Sequence, residues 1–426
     1  MSRTIAVLLA GLRLSFVAGA LAAAAVAPAA TLTLEFWGNQ LTEPVPSPGF
    51  NFGAAVDTDG ATAIVGTRLG GSDSGIGSGS VYTFNIATGM FGPELVPSDG
   101  LAGDRFGDAV AIGRPYSLVG AFNGHDGAGA AYVYNRSGEQ VNKLVAADGA
   151  AGDRFGDSLD TAGIHALIGA PGDDDFGNAS GAAYFFNAMT GVQLHKFAPG
   201  DLTASAQFGY ATALDESIAA VTSRLDDGTP LGTGSVYFFD WTTGSQLAKS
   251  TPSNATAGDR FGESIALDDN VALVGASRGN GGTGAAYLFD ATTGDELHVL
   301  TPGDGAMGFN FGVSVAIEDG LALVGASSAT ADGIVTGAVY AYDVATGLEI
   351  GRLVLIDREQ GDNLGISLAY ENGTMIVGSS FDSDFGLRAG AAYLQDIVRV
   401  DIPEPSSALL LLTLIAGSAV RNGRHD

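Results

Sequence analysis

Short apolar runs alternate with segments rich in Gly, Asp and Thr along most of the chain, roughly from residue 39 to residue 400. None of these runs has the apolar spacing of an amphipathic helix. The run AAYFF, 182–186, carries bulky apolar side chains on both faces of a strand. A strand that is apolar on both faces has to be covered on both faces. The pattern therefore predicts an all-β chain whose sheets pack face to face.

The strand-sized runs belong to a repeat with seven copies. Each copy contains a Phe-Gly pair, a run that ends in Val-Gly or Ile-Gly, and a Gly-x-x-Tyr segment, and six copies then have a Thr-Gly or Ser-Gly turn. Val221-Thr222 is the exception to the second landmark. The Phe-Gly pairs recur every 49 to 54 residues and begin at Phe52, Phe106, Phe155, Phe208, Phe261 and Phe311, with Leu364-Gly365 as an altered seventh.

Each copy holds four strands, here named A to D, with tight A-to-B turns such as Asp319-Gly320 and Asn372-Gly373. Seven four-stranded sheets stacked around an axis cover both faces of every sheet and leave only short edges. The sequence thus predicts an all-β fold over residues 30–402, a seven-bladed β-propeller of four-stranded antiparallel blades. The Phe of each Phe-Gly pair is expected to lie between blades, and its Gly to allow close backbone approach.

The start of the repeat region predicts how the ring closes. The seventh copy has no Thr-Gly turn before its last strand, whereas residues 38–53 align with a D strand and the loop that follows it in other copies. We therefore expect residues 39–45 to supply the outer strand of the last blade. An outer strand formed wholly by residues 396–402 would contradict this expectation.

The landmarks also resemble those of a known family. Phe-Gly, Val-Gly-Ala and Gly-x-x-Tyr at this period, with a full Gly-Ala-Pro at Gly169-Ala170-Pro171, resemble the FG-GAP repeats of integrin α-chain propellers and of many bacterial surface proteins. The resemblance covers roughly residues 39–400. A kelch-like propeller has a similar period, but its paired-Gly and Trp signatures are missing here. The calcium loop usual in the integrin type is replaced by a short A-to-B turn in every copy, so calcium is not expected in those turns.

The first 29 residues have the pattern of a signal peptide. Arg3 and Arg13 precede an apolar run, 14–26, and small residues lead to a cleavage position after Ala29. This pattern predicts export of the mature chain.

The last segment, 403–426, joins Pro403-Glu404-Pro405 to an apolar stretch, 406–420, and a basic tail. This order resembles the PEP-CTERM sorting signal of Gram-negative bacteria, which an exosortase reads. The resemblance implies a C-terminal hydrophobic sorting helix, transient membrane anchoring and a final place at the cell surface or in the extracellular matrix. An ordinary C-terminal anchor is the alternative, although the stretch is shorter than the ~20 residues that a spanning helix needs.

Composition excludes several classes of function. The 426 residues include no Cys, which excludes thiolate metal sites and thiol nucleophiles. The 47 acidic residues outnumber the 19 basic ones for a net charge of −28, which argues against a nucleic-acid partner. A charge of this size also keeps an exported protein soluble, and we expect a monomer.

The sequence contains no evident catalytic constellation. His195 and His298 occupy equivalent places in strand D, and His125 and His165 have no partner visible in the sequence. Gly-rich strings such as 279–284 precede no helix that could bind a phosphate. Trp241 is expected to serve packing. No enzyme activity is therefore predicted, with an extracellular polysaccharide-active enzyme as the alternative.

Asp residues recur in the B-to-C and D-to-A loops, which must share one face because strands run alternately up and down. They are Asp73, Asp126, Asp173, Asp174, Asp175, Asp226, Asp227, Asp332 and Asp384 in the former and Asp99, Asp104, Asp148, Asp153, Asp201, Asp259, Asp304 and Asp362 in the latter. The B-to-C loops also vary in length, which is typical of a binding face. The sequence predicts an exported binding protein that uses this acidic rim to bind an extracellular glycan, a surface protein or a divalent cation. The alternative is that the charge of the rim serves only to keep an exported protein soluble and monomeric.

The segment GDDDFGN, 172–178, is the candidate metal site. Asp173, Asp174 and Asp175 place three like charges in one loop, and Asn178 adds an oxygen ligand. A hard cation such as Ca²⁺ would relieve their repulsion, with weak affinity because no bidentate Glu is near. A solvated acidic loop without an ion is the alternative. No other cofactor is indicated.

Export predicts a shorter mature protein. We expect the intact mass of the exported protein to lack residues 1 to about 29 and the tail after about Pro405. A mature protein that keeps the apolar stretch would instead be an ordinary membrane-anchored protein.

Overall fold

The structure is a computed structural model that describes residues 32–36, 39–44, 49–68, 77–215, 217–226, 232–355, 359–384, 387–400 and 412–415. The predicted signal peptide with its cleavage position at Ala29 and the Pro403-Glu404-Pro405 motif lie outside the described residues. So does most of the predicted C-terminal helix. Its residues Leu412–Ile415 are described as a strand.

Two short strands precede the first blade, β1 (Leu32–Phe36) and β2 (Asn39–Leu41). Strands A to D of blade 1 are β3 (Phe52–Thr58), β4 (Thr62–Thr67), β5 (Ser80–Asn85) and β6 (Phe91–Leu95). Those of blade 2 are β7 (Phe106–Ile112), β8 (Ser117–Ala121), β9 (Ala130–Tyr134) and β10 (Gln140–Leu144). Those of blade 3 are β11 (Ser158–Ala162), β12 (His165–Ala170), β13 (Ala182–Asn187) and β14 (Val192–Phe197).

Blade 4 has the strands β15 (Phe208–Leu214), β16 (Ile218–Ser223), β17 (Ser235–Asp240) and β18 (Ser245–Ser250). Blade 5 has β19 (Phe261–Asp268), β20 (Val271–Ala276), β21 (Ala285–Asp290) and β22 (Glu296–Leu300). Blade 6 has β23 (Phe311–Glu318), β24 (Leu321–Ala326), β27 (Ala338–Asp343) and β28 (Glu349–Leu355), with a small hairpin, β25 (Thr330–Ala331) and β26 (Ile334–Val335), in its B-to-C loop. Blade 7 has β29 (Leu364–Glu371), β30 (Thr374–Ser379) and β31 (Ala391–Val400), and β31 pairs at its end with β32 (Leu412–Ile415).

Helix is almost absent from the described part of the chain, which has a 3-10 turn at His125–Gly127 and a four-residue helix, α1 (Gly279–Gly282). No helix in the described ranges is long and apolar enough to cross a membrane. Each blade is an antiparallel meander with strand A at one edge, and the A strands of successive blades contact one another around a closed ring. The predicted seven-bladed propeller is confirmed.

The Phe of the Phe-Gly pair lies in the apolar contact between blades. All six of these Phe residues and Leu364 are fully buried. Phe155 packs edge-on against Tyr184 and Phe186 of its own blade, with ring centroids 5.5 and 5.8 Å away, and shares an apolar cluster with Val133 and Leu144 of blade 2. The Phe residues therefore lie between blades, as predicted.

Strand C packs a different neighbour with each face. Tyr184 and Phe186 belong to the apolar cluster between blades 2 and 3, whereas Phe185 belongs to the cluster that contains Phe208 of blade 4. Both apolar faces of strand C thus pack against a neighbouring blade, as the sequence pattern indicated.

Glycines allow adjacent blades to approach closely. A Cβ built on Gly275 would lie 2.0 Å from the carbonyl oxygen of Gly312 in blade 6, so no side chain fits there. In blade 5 the hydroxyl of Ser264 donates to that same carbonyl at 3.0 Å. The two glycines belong to the Val-Gly and Phe-Gly pairs, so the landmarks of the repeat meet at one contact.

Blade 4 shows why its Val-Gly pair can be altered. It has Ala211 where blade 5 has Ser264, and Thr222 where blade 5 has Gly275. The Thr222 hydroxyl donates to the carbonyl of Gly262 at 2.8 Å. In blade 4 the hydroxyl that bonds to the next blade therefore comes from strand B, whereas in blade 5 it comes from strand A.

The ring closes as the sequence predicted. Strand β2 forms the outer strand of blade 7, with Asn39 opposite Leu394 and Leu41 opposite Ala392. The strand is shorter than the predicted 39–45, because it ends at Leu41. In addition, the N–H of Phe52 donates to the carbonyl of Ala389 in blade 7 at 3.0 Å. Strand β1 was not predicted; it pairs in parallel with the edge of blade 6.

Truncation of one of these Phe residues tests the packing. We expect Phe261→Ala to lower the free energy of unfolding by about 3 to 5 kcal/mol, because its ring is fully buried between blades. The matched control is Phe176→Ala, since that ring is 54% exposed, and it should change the unfolding midpoint little. Equal midpoints for the wild type and Phe261→Ala in chemical denaturation would contradict the blade contact.

Candidate functional site

The B-to-C and D-to-A loops lie together on one face, here called the loop face. The N–H of Asn123 in a B-to-C loop donates to the carbonyl of Asp104 in a D-to-A loop at 3.3 Å. The A-to-B and C-to-D turns lie on the opposite side, here called the turn face. The described Asp-rich segments therefore share one face, as the sequence predicted. Asp73 and Asp227 of the predicted rim lie outside the described residues.

Many aspartates of the loop face surround the Tyr of strand C. In blade 3 the hydroxyl of Tyr184 donates to Asp173 at 2.7 Å and contacts Asp148 at 2.9 Å. The Lys196 ammonium donates to Asp148, Asp173 and Asp175 at 2.8, 3.0 and 2.6 Å. Burial alone would raise the pKa of Asp148, but the hydrogen bonds from Lys196 and Tyr184 lower it below the usual range. We call this arrangement the tyrosine cluster.

The tyrosine cluster recurs in other blades with substitutions. Blade 4 has Tyr237, Lys249, Asp201 and Asp226, and blade 2 has Tyr132, Lys143 and Asp99. In blade 6 an Arg352 guanidinium replaces the ammonium and pairs with Asp304, and in blade 5 the hydroxyl of Tyr287 donates to Asn254. All three lysines of the chain are used in these clusters.

A second set of loop-face aspartates shapes the D-to-A loops. Each lies two residues before a Phe-Gly or Leu-Gly pair and accepts the N–H of the residue three positions earlier, at 2.6 to 2.8 Å; they are Asp104, Asp153, Asp259 and Asp362. Burial raises the pKa of Asp362 to about 7, and the nearby Asp382, Glu359 and Asp384 add to the rise. Most of the acidic rim is therefore internal structure of the loops.

The candidate metal residues fall into two groups. Asp173 and Asp175 both form ion pairs with the Lys196 ammonium, and Asp173 also accepts the N–H of Asp175 at 3.1 Å. The side chains of Asp174 and Asn178 are exposed. Within the described ranges no three His, Asp or Glu side chains have a metal-binding arrangement. The calcium site stays a prediction, and calcium there would have to displace Lys196.

Seven residues at equivalent positions of the seven blades lie around the propeller axis on the loop face, and they were not predicted as site residues. They are the residues directly before the Phe-Gly or Leu-Gly pairs, and all have left-handed backbone with φ between 55° and 62°: Asn51, Arg105, Arg154, Gln207, Arg260, Asn310 and Asn363. Each carries a guanidinium or an amide. The signal that could have found them is the tripeptide Arg-Phe-Gly, which occurs in three copies.

Three of these seven residues are arginines, and two further arginines extend the set. Arg68 and Arg224 lie two residues after the Val-Gly position of blades 1 and 4. Together the five guanidiniums form what we call the arginine arc, from Arg68, Arg105, Arg154, Arg224 and Arg260 across blades 1 to 5. Burial raises the pKa of Asp157 in blade 3, and the charges of Arg154, Arg68 and Arg224 oppose that rise. Arg68 reaches across to blade 2, where its Nε lies 3.2 Å from a carboxylate oxygen of Asp108.

The turn face has carboxylates around the same axis. Asp57, Asp160, Asp268 and Glu318 each accept an N–H of another blade, at 2.7 to 2.8 Å, from Ile112, Leu214, Asp319 and Asn372 respectively. These bonds join the hairpins of strands A and B, here called the inner hairpins, of adjacent blades. These four carboxylates were not predicted as a group, although acidic residues stand at the end of strand A in most copies.

Crowding of these carboxylates shifts their titration. Burial raises the pKa of Asp160 to about 6. Burial also raises the pKa of Glu371 to about 7, the charges of Glu318 and Asp160 add to the rise, and Arg114 and Arg136 oppose it. Some carboxyl groups of the turn face are therefore protonated, and uncharged, near neutral pH.

Trp241 and His165 pack against each other and against strand C of blade 3. The ring of Trp241 lies 4.6 Å from His165 and 5.1 Å from Phe185, and its Nε1 donates to the carbonyl of Asp215 at 3.0 Å. The Nε2 of His298 lies 3.2 Å from the carbonyl oxygen of Ala345.

The raised pKa of Glu371 predicts a pH-dependent stability. A carboxyl with a higher pKa in the folded state costs stability as pH rises from its unfolded pKa through its folded pKa of about 7. We expect Glu371→Gln to be more stable than the wild type at pH 8 by about 1 kcal/mol, after allowance for solvent screening of a half-buried group, and equally stable near pH 4.5. Urea unfolding at both pH values measures this difference. Asp174→Asn, at an exposed carboxylate, is the control, and an equal gain at both pH values would contradict the assignment.

Comparison with known protein families identifies the repeat. The model of the FG-GAP repeat matches residues 93–134, 139–186, 245–289, 295–342 and 348–395, together more than half of the chain. Each match begins in or next to strand D of one blade and ends in or next to strand C of the next. The unmatched region 187–244 contains the altered Val221-Thr222 pair. No curated protein matches the sequence closely. The family match agrees with the Phe-Gly and Val-Gly contacts between blades, and the chain belongs to the FG-GAP repeat family.

Proposed function

We propose that this protein is an exported, non-enzymatic binding protein of the bacterial surface or extracellular matrix, and that it binds an extracellular glycan or surface protein through the loop face. The FG-GAP propeller fold is compatible with such a role, and a fold alone does not decide function. The signal-like residues 1–29 and the resemblance of residues 403–426 to a sorting signal support export and transient anchoring.

The observation that carries the proposal is the asymmetry between the two faces. Of the described non-Gly residues with left-handed backbone, fourteen lie on the loop face, whereas the four on the turn face, Asp269, Asn270, Asp319 and Asn372, all belong to tight hairpin turns. Uncommon backbone conformations cost free energy and concentrate at ligand-binding sites. The variable B-to-C loops lie on the same face, held by a rigid ring, which is the usual arrangement of a binding surface.

An enzyme that acts on extracellular polysaccharide is the second candidate. It is favoured by Glu371, whose pKa of about 7 suits a general acid, beside other carboxylates on the turn face. Those carboxylates also bond to backbone N–H groups of neighbouring blades, which accounts for them structurally. We therefore favour binding over catalysis.

A pull-down with extracellular material tests the proposal. We expect the exported protein to retain a glycan or surface protein from the matrix of its own cells, with no release of shortened sugar chains during the incubation. Retention with and without millimolar calcium shows whether an ion at Asp173 and Asp175 contributes. Release of oligosaccharides that stops in Glu371→Gln would favour the enzyme, and an absence of any retained component would reject the binding function.

A further inference from the structure

The arginine arc is the main concentration of positive charge on the loop face of an acidic protein. The chain has 16 arginines, and five of them lie in this arc, while the net charge of the chain is −28. Among the described residues, three carboxylates pair with the five guanidiniums: Asp108, Asp157 and Glu263. The arc therefore has two positive charges in excess within a negative field.

In the arginine arc the guanidiniums are more exposed than the carboxylates that pair with them. The side chains of Arg68, Arg105, Arg154 and Arg260 are 37 to 51% exposed, whereas those of the paired carboxylates are 6 to 13% exposed. A ligand that approaches along the axis would meet guanidinium groups first, with the carboxylates beneath them. This order favours an anion at the mouth of the ring.

Aromatic rings hold several guanidiniums in place. Arg105 and Arg154 lie over the ring of Phe122 at 5.5 and 5.1 Å, and Arg224 lies over Tyr210 at 3.9 Å. Stacking of this kind fixes the planar group. Arg224 also donates to the hydroxyl of Tyr210 at 2.8 Å and to Oε1 of Gln207 at 3.0 Å. Less entropy is then lost when an anion binds.

Most N–H donors of the arc remain available. A guanidinium has five donors. Arg105 lies 3.6 Å from Asp108, which is too far for a hydrogen bond, and Arg260 makes one long bond of 3.3 Å to Glu263. The Nε atoms of Arg154 and Arg224 are buried and have no acceptor within the described part of the chain. An oxyanion would pair with the exposed terminal N–H groups of these guanidiniums.

The other half of the ring is uncharged and offers amides. Asn310, Asn363 and Asn51 follow one another at the positions that Arg occupies in blades 2, 3 and 5, and Gln207 occupies that position in blade 4. Amides donate to and accept from hydroxyl groups, as a sugar requires. The surrounding aspartates would repel a dense polyanion, so the ligand should have few negative charges among many hydroxyls.

We infer that the mouth of the ring on the loop face binds an acidic sugar, whose carboxylate pairs with the arginine arc and whose hydroxyls bond to the amide positions. This inference rests on the proposed binding function and names the chemical class of its ligand. It differs from the predicted calcium site, which lies at the edge of blade 3.

Binding of trigalacturonate to the exported protein, measured by titration calorimetry, tests the inference. We expect measurable binding that weakens with salt, and no comparable binding of the neutral galactotriose. The double variant Arg105→Gln/Arg154→Gln should lose about tenfold or more in affinity, because two charge-assisted contacts are removed. Arg105→Lys/Arg154→Lys, which keeps the charge but not the planar fork, should lie between the wild type and the Gln variant.

Controls separate this inference from misfolding and from the wider proposal. Arg278→Gln removes an exposed arginine of the same face outside the arc and should keep its affinity within about twofold of wild type. Unfolding midpoints of all variants show whether the ring is intact. Unchanged affinity of the double variant, equal binding of the neutral sugar, or binding of a tetraglutamate peptide in place of trigalacturonate would overturn the acidic-sugar site.

The two proposals fail in different ways. A protein that retains matrix material but binds no trigalacturonate keeps its binding function and loses the acidic-sugar site. Binding of trigalacturonate without retention of any matrix component would support the site and reject the wider function.

Discussion

The contact between two glycines of adjacent blades is the constraint on which the structure depends. The Gly of a Val-Gly pair faces the carbonyl of the next Phe-Gly pair so closely that even a Cβ would not fit, as at Gly275 and Gly312. This approach lets the Phe beside it bury its ring between the sheets, and a hydroxyl ties the same carbonyl. Blade 4 loses the glycine and keeps the hydroxyl through Thr222, which indicates that the tie to the next blade matters more than the residue that supplies it.

The acidic composition of the chain is largely accommodated by internal bonds. Carboxylates of the loop face accept hydrogen bonds from strand C tyrosines, from the three lysines and from backbone N–H groups, and those of the turn face join neighbouring inner hairpins. An aspartate in a loop is thus no sufficient sign of a binding site here. The less frequent positive residues are more informative, because five of them are gathered at one mouth of the ring.

The two ends of the axis consequently differ in charge. Guanidiniums line the mouth on the loop face along blades 1 to 5, and carboxylates with raised pKa values lie around the turn face. The arginine arc therefore gives an anionic ligand a local positive site among the aspartates of the loop face. The variable loops lie at that same end, so recognition and electrostatic attraction coincide.

The sequence by itself determined the fold, the number of blades, the origin of the closing strand and the place of each Phe, because these follow from a repeat whose landmarks recur at fixed intervals. It predicted the closing strand at 39–45, and the structure forms it at 39–41. It also determined that the aspartates share one face, since strands alternate in direction. Only the tertiary structure decided which of them are free. Lys196 lies far along the chain from Asp148 and meets it through the pairing of strands, and arginines from five blades converge because the ring brings equivalent positions to the axis. Spacing along a chain reports the repeat, whereas charge neutralisation between copies depends on contacts that form when the ring closes.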